Sequence, residues 1–220
     1  MKKYFFMGPV LKVIAEGILF GRLFAVALRI FAVLLGLGAL VAWIQLWKEV
    51  FHLTGAAILG GILFQAVFVL GVYMVLHTIF IRAADIEVLR PSEFIVIPII
   101  SVFLRMLGEI YACLSLAGGV ADGCLQLFAA GYSDISARAL HGLPGINTGL
   151  WLFSGLFGSG GTSSSFVVAL LLVVGGLISA IFWLVMFYLA AELILVLVDI
   201  ARNTKTVREL MERNHPGRVV

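Results

Sequence analysis

Residues 94–118, FIVIPIISVFLRMLGEIYACLSLAG, decide the fold class of this chain. The stretch is apolar, and at about 1.5 Å of helical rise per residue it is long enough to cross a bilayer, which takes about 20 residues. It nevertheless carries Arg105 and Glu109 near its middle. Charged side chains at that depth are costly unless they are paired or face a protein interior. The stretch therefore predicts a membrane helix that turns one face toward other helices.

The polar side chains of this predicted helix share one face. At about 100° per residue, an arc roughly 120° wide holds Ser101, Arg105, Gly108, Glu109, Ala112 and Ser115. Arg105 and Glu109 are one turn apart and can pair with each other. Gln65 belongs to another apolar run, at 55–81, and falls at a similar depth. It lies about ten residues from the start of that run, and Glu109 lies about nine residues from the end of the run at 94–118. We therefore expect an intramembrane cluster of Gln65, Arg105 and Glu109, acting either as a structural clasp or as a path for a proton, ion or substrate.

The composition excludes a soluble globular protein. Hydrophobic residues make up 62% of the chain and charged residues 12%, and the mean hydropathy is +1.15. The net charge of +3 does not indicate nucleic-acid binding, because the basic residues lie at the ends of apolar runs and not in one patch. We expect the lipid bilayer, and no nucleic acid, as a partner.

Four apolar runs predict an all-α, polytopic membrane protein. The predicted spans cover residues 23–47, 55–81, 94–118 and 168–192 of a membrane domain at 23–198. Ala57 and Gly61, one turn apart, permit close helix packing in the second span.

Three further segments flank or connect these spans. An amphipathic helix near residues 9–20 is expected at the interface, within an N-terminal segment at 1–22. The third and fourth spans are joined by a long apolar outer loop at 119–165. The tail at 199–220 predicts a separate short helix, because a capping-box spacing begins at Thr206.

The basic residues also predict the orientation. With the N-terminus, the 82–93 loop and the C-terminal tail on one side, 12 of the 15 basic residues lie on that side. The positive-inside rule then places both termini in the cytoplasm. We expect this topology in a bacterial inner membrane.

Three polar residues lie near the predicted cytoplasmic ends of the spans. Arg29 is close enough to the membrane surface to anchor its helix by snorkelling, and Glu192 lies where the fourth run leaves the membrane. His77 is expected to be buried and hydrogen-bonded. Haem ligation by His77 is disfavoured, because no second intramembrane histidine is present to face it. We expect no cofactor and no metal ion.

The outer loop suggests what the protein does. Trp151, Phe153 and Phe157 form an apolar surface that is better suited to docking than to lining water. The sequence lacks the common hydrolase, metalloprotease and nucleotide-binding motifs, so no enzyme is expected. The first hypothesis is a non-catalytic membrane subunit or scaffold that docks other subunits or forms a homo-oligomer. The alternative is a small oligomeric transporter or channel with a polar path around Arg105 and Glu109.

Overall fold

The structure, a computed structural model, describes residues 18–53, 55–89, 96–128 and 165–214. Within these ranges the secondary structure is four α-helices: α1 (Ile18–Val50), α2 (Ala56–Val88), α3 (Val96–Phe128) and α4 (Ser165–Asn214). All four are long and apolar enough to cross a membrane. The predicted all-helical, multi-pass membrane class with four candidate spans is therefore confirmed.

Two predicted features lie outside the described ranges. The described part of the chain begins at residue 18, so most of the interfacial helix expected near residues 9–20 is not covered. The docking surface of Trp151, Phe153 and Phe157 also belongs to an undescribed stretch. Both stay predictions.

The third helix is longer than predicted. The prediction ended the span at Gly118, whereas α3 continues to Phe128 and takes up the first ten residues of the expected outer loop. The glycine pair at 118–119 does not end the helix. Gly119 instead packs against Gly176 of α4, where a Cβ atom would lie 2.8 Å from the Gly176 Cα atom.

The fourth helix is also longer than predicted. The span expected at 168–192 and the short tail helix expected from Thr206 are parts of one 50-residue helix, α4, about 75 Å long. The Thr206 hydroxyl donates to the backbone carbonyl of Arg202, at 3.1 Å, so Thr206 lies inside the helix and does not cap one. Between Gly176 and Asn214 the sequence contains neither glycine nor proline, the residues that most often interrupt a helix.

The helices pack in chain order. Each contacts its neighbour in sequence, and the α3–α4 interface is the most extensive. A short turn joins α1 to α2, and within it Gly55 has a φ of 60°, a backbone conformation that favours glycine. Helix α1 also reaches α3, because Phe24 packs edge-on against Phe103 with ring centroids 5.7 Å apart.

Two apolar clusters hold α1, α2 and α3 together. One, near the chain reversal between α1 and α2, includes Val50, Leu53, Phe64 and Leu125. The other lies toward the opposite ends of the helices and contains Ala25, Leu28, Ala32, Val75, Ile79, Ala83, Ile86, Ile99 and Met106. Many large apolar side chains outside these clusters are exposed, as expected of helices whose outer faces contact lipid.

Candidate functional site

Charged residues of three helices meet at one level of the bundle, which we call the charged level. Its members are Arg29 of α1, Arg82, Asp85 and Glu87 of α2, and Arg105 and Glu109 of α3. Helix α4 adds Tyr188 to this level. The residues are brought together because α2 runs antiparallel to both α1 and α3, so side chains far apart in sequence share one depth.

The centre of the charged level is an ion pair between α2 and α3. The Arg82 Nε atom donates to Glu109 Oε2 at 2.9 Å, and Arg82 Nη2 donates to the second oxygen, Oε1. This two-pronged geometry is the strongest arrangement available to a guanidinium and a carboxylate. Side-chain exposures of 23% for Arg82 and 19% for Glu109 place the pair in a partly desolvated environment.

Tyr188 ties α4 to this pair. Its hydroxyl donates to Glu109 Oε1 at 2.6 Å and accepts from Arg82 Nη2 at 3.3 Å. Arg82 also donates through Nη1 to Asp85 Oδ2 at 2.9 Å. One carboxylate and one guanidinium thus connect α2, α3 and α4, and we call Arg82, Glu109 and Tyr188 the clasp.

A second ion pair joins α1 to α2 at the same level. Arg29 Nη2 donates to Glu87 Oε2 at 2.6 Å, with side chains 40% and 41% exposed. Such an exposed pair contributes little to stability, typically less than about 1 kcal/mol. Arg29 therefore has a specific partner in addition to the anchoring role expected from its position.

Arg105 does not pair with Glu109, contrary to the prediction. Its guanidinium carbon lies 5.6 Å from the centroid of the Tyr188 ring, a cation–π contact. Within the described residues its Nε atom is buried and has no hydrogen-bond partner. The sequence prediction failed because Arg82, expected in a loop, is inside α2 and occupies both oxygens of Glu109.

Gln65 is not part of the cluster, which corrects the predicted grouping. The side chain is buried, at 2% exposure, but it lies about 25 Å along α2 from Arg82 at ~1.5 Å per residue. Its neighbour in sequence, Phe64, packs with Ala121 and Leu125 of α3. The depth estimate was wrong because α3 does not end at Gly118, so Glu109 lies far from the outer end of its helix. Both amide atoms of Gln65 lack a partner among the described residues.

His77 and Glu192 are both exposed. His77 was expected to be buried, but the buried face of α2 carries Val75 and Ile79, and His77 points away from it. Its ring stacks on Tyr73 with centroids 5.7 Å apart and an interplanar angle of 12°. Glu192, one turn beyond Tyr188, forms no ion pair within 4 Å with any described residue.

The sequence prediction missed Arg82, Asp85 and Tyr188. A signal for the first two was present, since no glycine or proline occurs between Gly71 and Pro91 that would end α2 at Ile81. The helix ends at Val88, close to the position where Pro91 restricts the backbone of the residue before it. Tyr188 carried no such signal, because a tyrosine in an apolar run has no distinguishing pattern.

The α3–α4 interface is closed by direct backbone contact. A Cβ atom on Gly119 would lie 2.7 Å from the Leu172 carbonyl oxygen, and one on Gly176 would lie 2.7 Å from the Ser115 carbonyl oxygen. A turn away, the hydroxyl groups of Ser179 and Ser115 are 3.4 Å apart. This contact leaves no room for water between the two helices at the crossing.

The depth of the charged level follows from α1. Trp43 and Trp47 pack together near the end of α1, with ring centroids 6.0 Å apart, and tryptophan favours the membrane–water interface. Along the helix, Trp47 and Arg29 are separated by about 27 Å, close to the ~30 Å thickness of the hydrocarbon core. With Trp47 at one interface, the charged level lies near the other.

The described residues include no group of three or more histidine, cysteine or acidic side chains that could hold a metal ion. The chain matches no protein-family model, and comparisons with curated proteins and with solved structures find no significant similarity to any of them.

Proposed function

We propose that this chain is a non-catalytic integral membrane subunit or scaffold that docks other subunits of a membrane assembly. The charged level fixes the arrangement of its helices, and the far end of α4 provides a docking surface. One observation carries the proposal, namely an exposed apolar face on the part of α4 beyond the charged level.

Helix α4 continues for about 39 Å past Tyr188 to Asn214. Ile200, Val207, Leu210 and Met211 lie on one side of this extension and are 49–65% exposed. The opposite side carries charged residues, among them Lys205 and Glu209, which form an i,i+4 pair at 3.9 Å. An amphipathic helix that projects beyond the membrane, with its apolar side uncovered, is typical of a helix that packs on a partner.

The packing within one chain further supports a scaffold. The Gly119–Gly176 contact closes the interface on which the polar face of α3 lies. Both oxygens of Glu109 are engaged by Arg82 and Tyr188. A proton or ion path through a single copy would have to break this clasp.

The proposed docking surface on α4 can be tested by substituting its apolar side chains. We expect the V207S/L210S variant to insert normally and to lose the assembly that the wild-type chain forms in its native membrane. The matched control is K205S/E209S, which alters the charged side of the same turns and is expected to stay assembled. The readout is the mass of the native complex after extraction in mild detergent. A wild-type chain that runs alone, or a V207S/L210S variant that stays assembled, would refute the proposal.

The second candidate is an oligomeric transporter or channel, and the exposed carboxylate of Glu192 favours it. A path between copies could use this acid, which has no ion-pair partner among the described residues. Purified protein in liposomes distinguishes the two functions. The scaffold hypothesis expects no proton or ion flux, whereas flux that is abolished by Glu192→Gln would support transport.

A further inference from the structure

We propose that Arg105 binds the phosphate group of an anionic phospholipid in the leaflet next to the charged level. The proposal does not depend on the docking function of α4. It follows from the unsatisfied donors of Arg105, from the occupancy of the acids around it, and from its depth in the membrane.

The Arg105 guanidinium has five N–H donors and no acceptor within the described part of the chain. Its guanidinium lies over the Tyr188 ring in a cation–π contact. That ring is held in place because its hydroxyl is bonded to Glu109. The guanidinium is therefore positioned by a fixed aromatic ring, and no residue in the described part of the chain accepts its hydrogen bonds.

The acidic side chains near Arg105 do not accept its hydrogen bonds, because each of them is bound to another arginine. Glu109 is bound through both oxygens by Arg82, and Asp85 also accepts from Arg82. Glu87 is taken by Arg29 across the α1–α2 interface. Among these charged residues, Arg105 is the cation without a hydrogen-bonded anion; its Nε atom is buried, and the residue as a whole is partly exposed.

The depth of Arg105 in the membrane indicates which ligand it can reach. It lies one turn beyond Glu109 on α3, on the side away from the tryptophan-marked interface, which places it near lipid headgroups. A phosphate oxygen pair matches the fork of a guanidinium as a carboxylate does. Basic residues between helices at this depth are suited to anionic lipid headgroups.

The test compares two lipids that differ only in the headgroup, which is anionic in one and zwitterionic in the other. Thermal unfolding of the purified protein is followed while phosphatidylglycerol or phosphatidylcholine with identical acyl chains is added in mixed micelles. We expect phosphatidylglycerol to raise the melting temperature more than phosphatidylcholine does. In Arg105→Gln the apparent affinity for phosphatidylglycerol should fall about five- to tenfold, and Arg105→Lys should retain part of it.

Arg29→Gln is the matched control, since Arg29 lies at the same level but is already paired with Glu87. It should keep the preference for phosphatidylglycerol, and an equal loss in both variants would refute a specific site. The wild-type comparison needs no variant, so equal stabilisation by the two lipids would overturn the proposal even if Arg105→Gln does not fold. Equal stabilisation by inorganic phosphate alone would show a free anion as the ligand and overturn the lipid assignment.

Discussion

Two arginines at the charged level illustrate how the partner of a residue, and not its type, determines what it does. Arg82 is held by Glu109, Asp85 and Tyr188, whereas Arg105 lies over the ring of Tyr188 and has no hydrogen-bond partner among the described residues. Removing one member of a partly buried ion pair leaves the other charge uncompensated, and this penalty exceeds the net contribution of the pair. The two arginines should therefore respond differently to the loss of Glu109.

A double-mutant cycle measures this difference. Arg82→Met and Glu109→Leu should each destabilise the protein by about 2 kcal/mol, and the double variant should recover much of that loss. The same cycle with Arg105→Met and Glu109→Leu should show much weaker coupling. Thermal unfolding in detergent is the measurement. A stronger coupling for Arg105 than for Arg82 would contradict the observed pairing.

Tyr188 offers a second prediction at this scale. Tyr188→Phe removes the hydroxyl that donates to Glu109 and accepts from Arg82, so it should lower stability by about 1 kcal/mol. The control is Tyr73→Phe, on the exposed face of α2 at 61% exposure, which should have a smaller effect. Comparable destabilisation by the two variants would argue that the Tyr188 hydroxyl makes no special contribution.

At the scale of helices, the tightest packing depends on glycine. The crossing of α3 and α4 is built on Gly119 and Gly176, whose backbones touch, and Gly123 and Gly108 extend the contact in both directions. Lipid tails are as apolar as the side chains, so burying apolar side chains between helices in a membrane contributes little free energy. Close packing of the backbones is therefore a main source of helix association. The α3–α4 pair should therefore be the most sensitive interface to added volume.

Gly119→Ala tests this interface. The new methyl group would lie 2.7 Å from a backbone carbonyl oxygen of α4, so the helices must separate, and we expect a loss of about 2 kcal/mol. Gly38→Ala is the control, because no side chain beyond its chain neighbours and no other helix lies within 4 Å of its added Cβ, and alanine favours a helix. It should be neutral or slightly stabilising in the same thermal assay. Equal effects at the two sites would mean that the crossing is looser than described.

The sequence predicted these helices better than it predicted their contacts. Hydrophobic run length identified the four helices, and Ala57 and Gly61 correctly indicated close packing in α2, where Gly61 lies against Val50 and Leu53. The ends were missed because the same glycine that stops one helix permits close packing in another, as at Gly119. The clasp was missed because the partner of Glu109 depends on where α2 ends, and a single turn more of helix brings Arg82 into reach.

At the scale of the whole molecule, the distribution of charge predicts both termini in the cytoplasm. In a background of Cys113→Ser and Cys124→Ser, single cysteines can replace Lys3, His52 and Thr204. A membrane-impermeant thiol reagent should label positions 3 and 204 from one side and position 52, in the α1–α2 turn, from the other. Labelling of positions 52 and 204 from the same side would be incompatible with the way α1 to α4 cross the membrane.

Because α4 is one unbroken helix, its part beyond the bundle is a long, rigid arm. Its base is Tyr188, which is bonded to α2 and α3, and the arm from there to Asn214 is about 39 Å long at ~1.5 Å per residue. Because membrane helices change tilt with bilayer thickness, a rotation of the whole bundle by roughly 10° would move the far end of this arm by about 7 Å relative to its base. Any subunit bound to this arm would thus be displaced by a change in the thickness of the bilayer, without a change in the contacts that hold it.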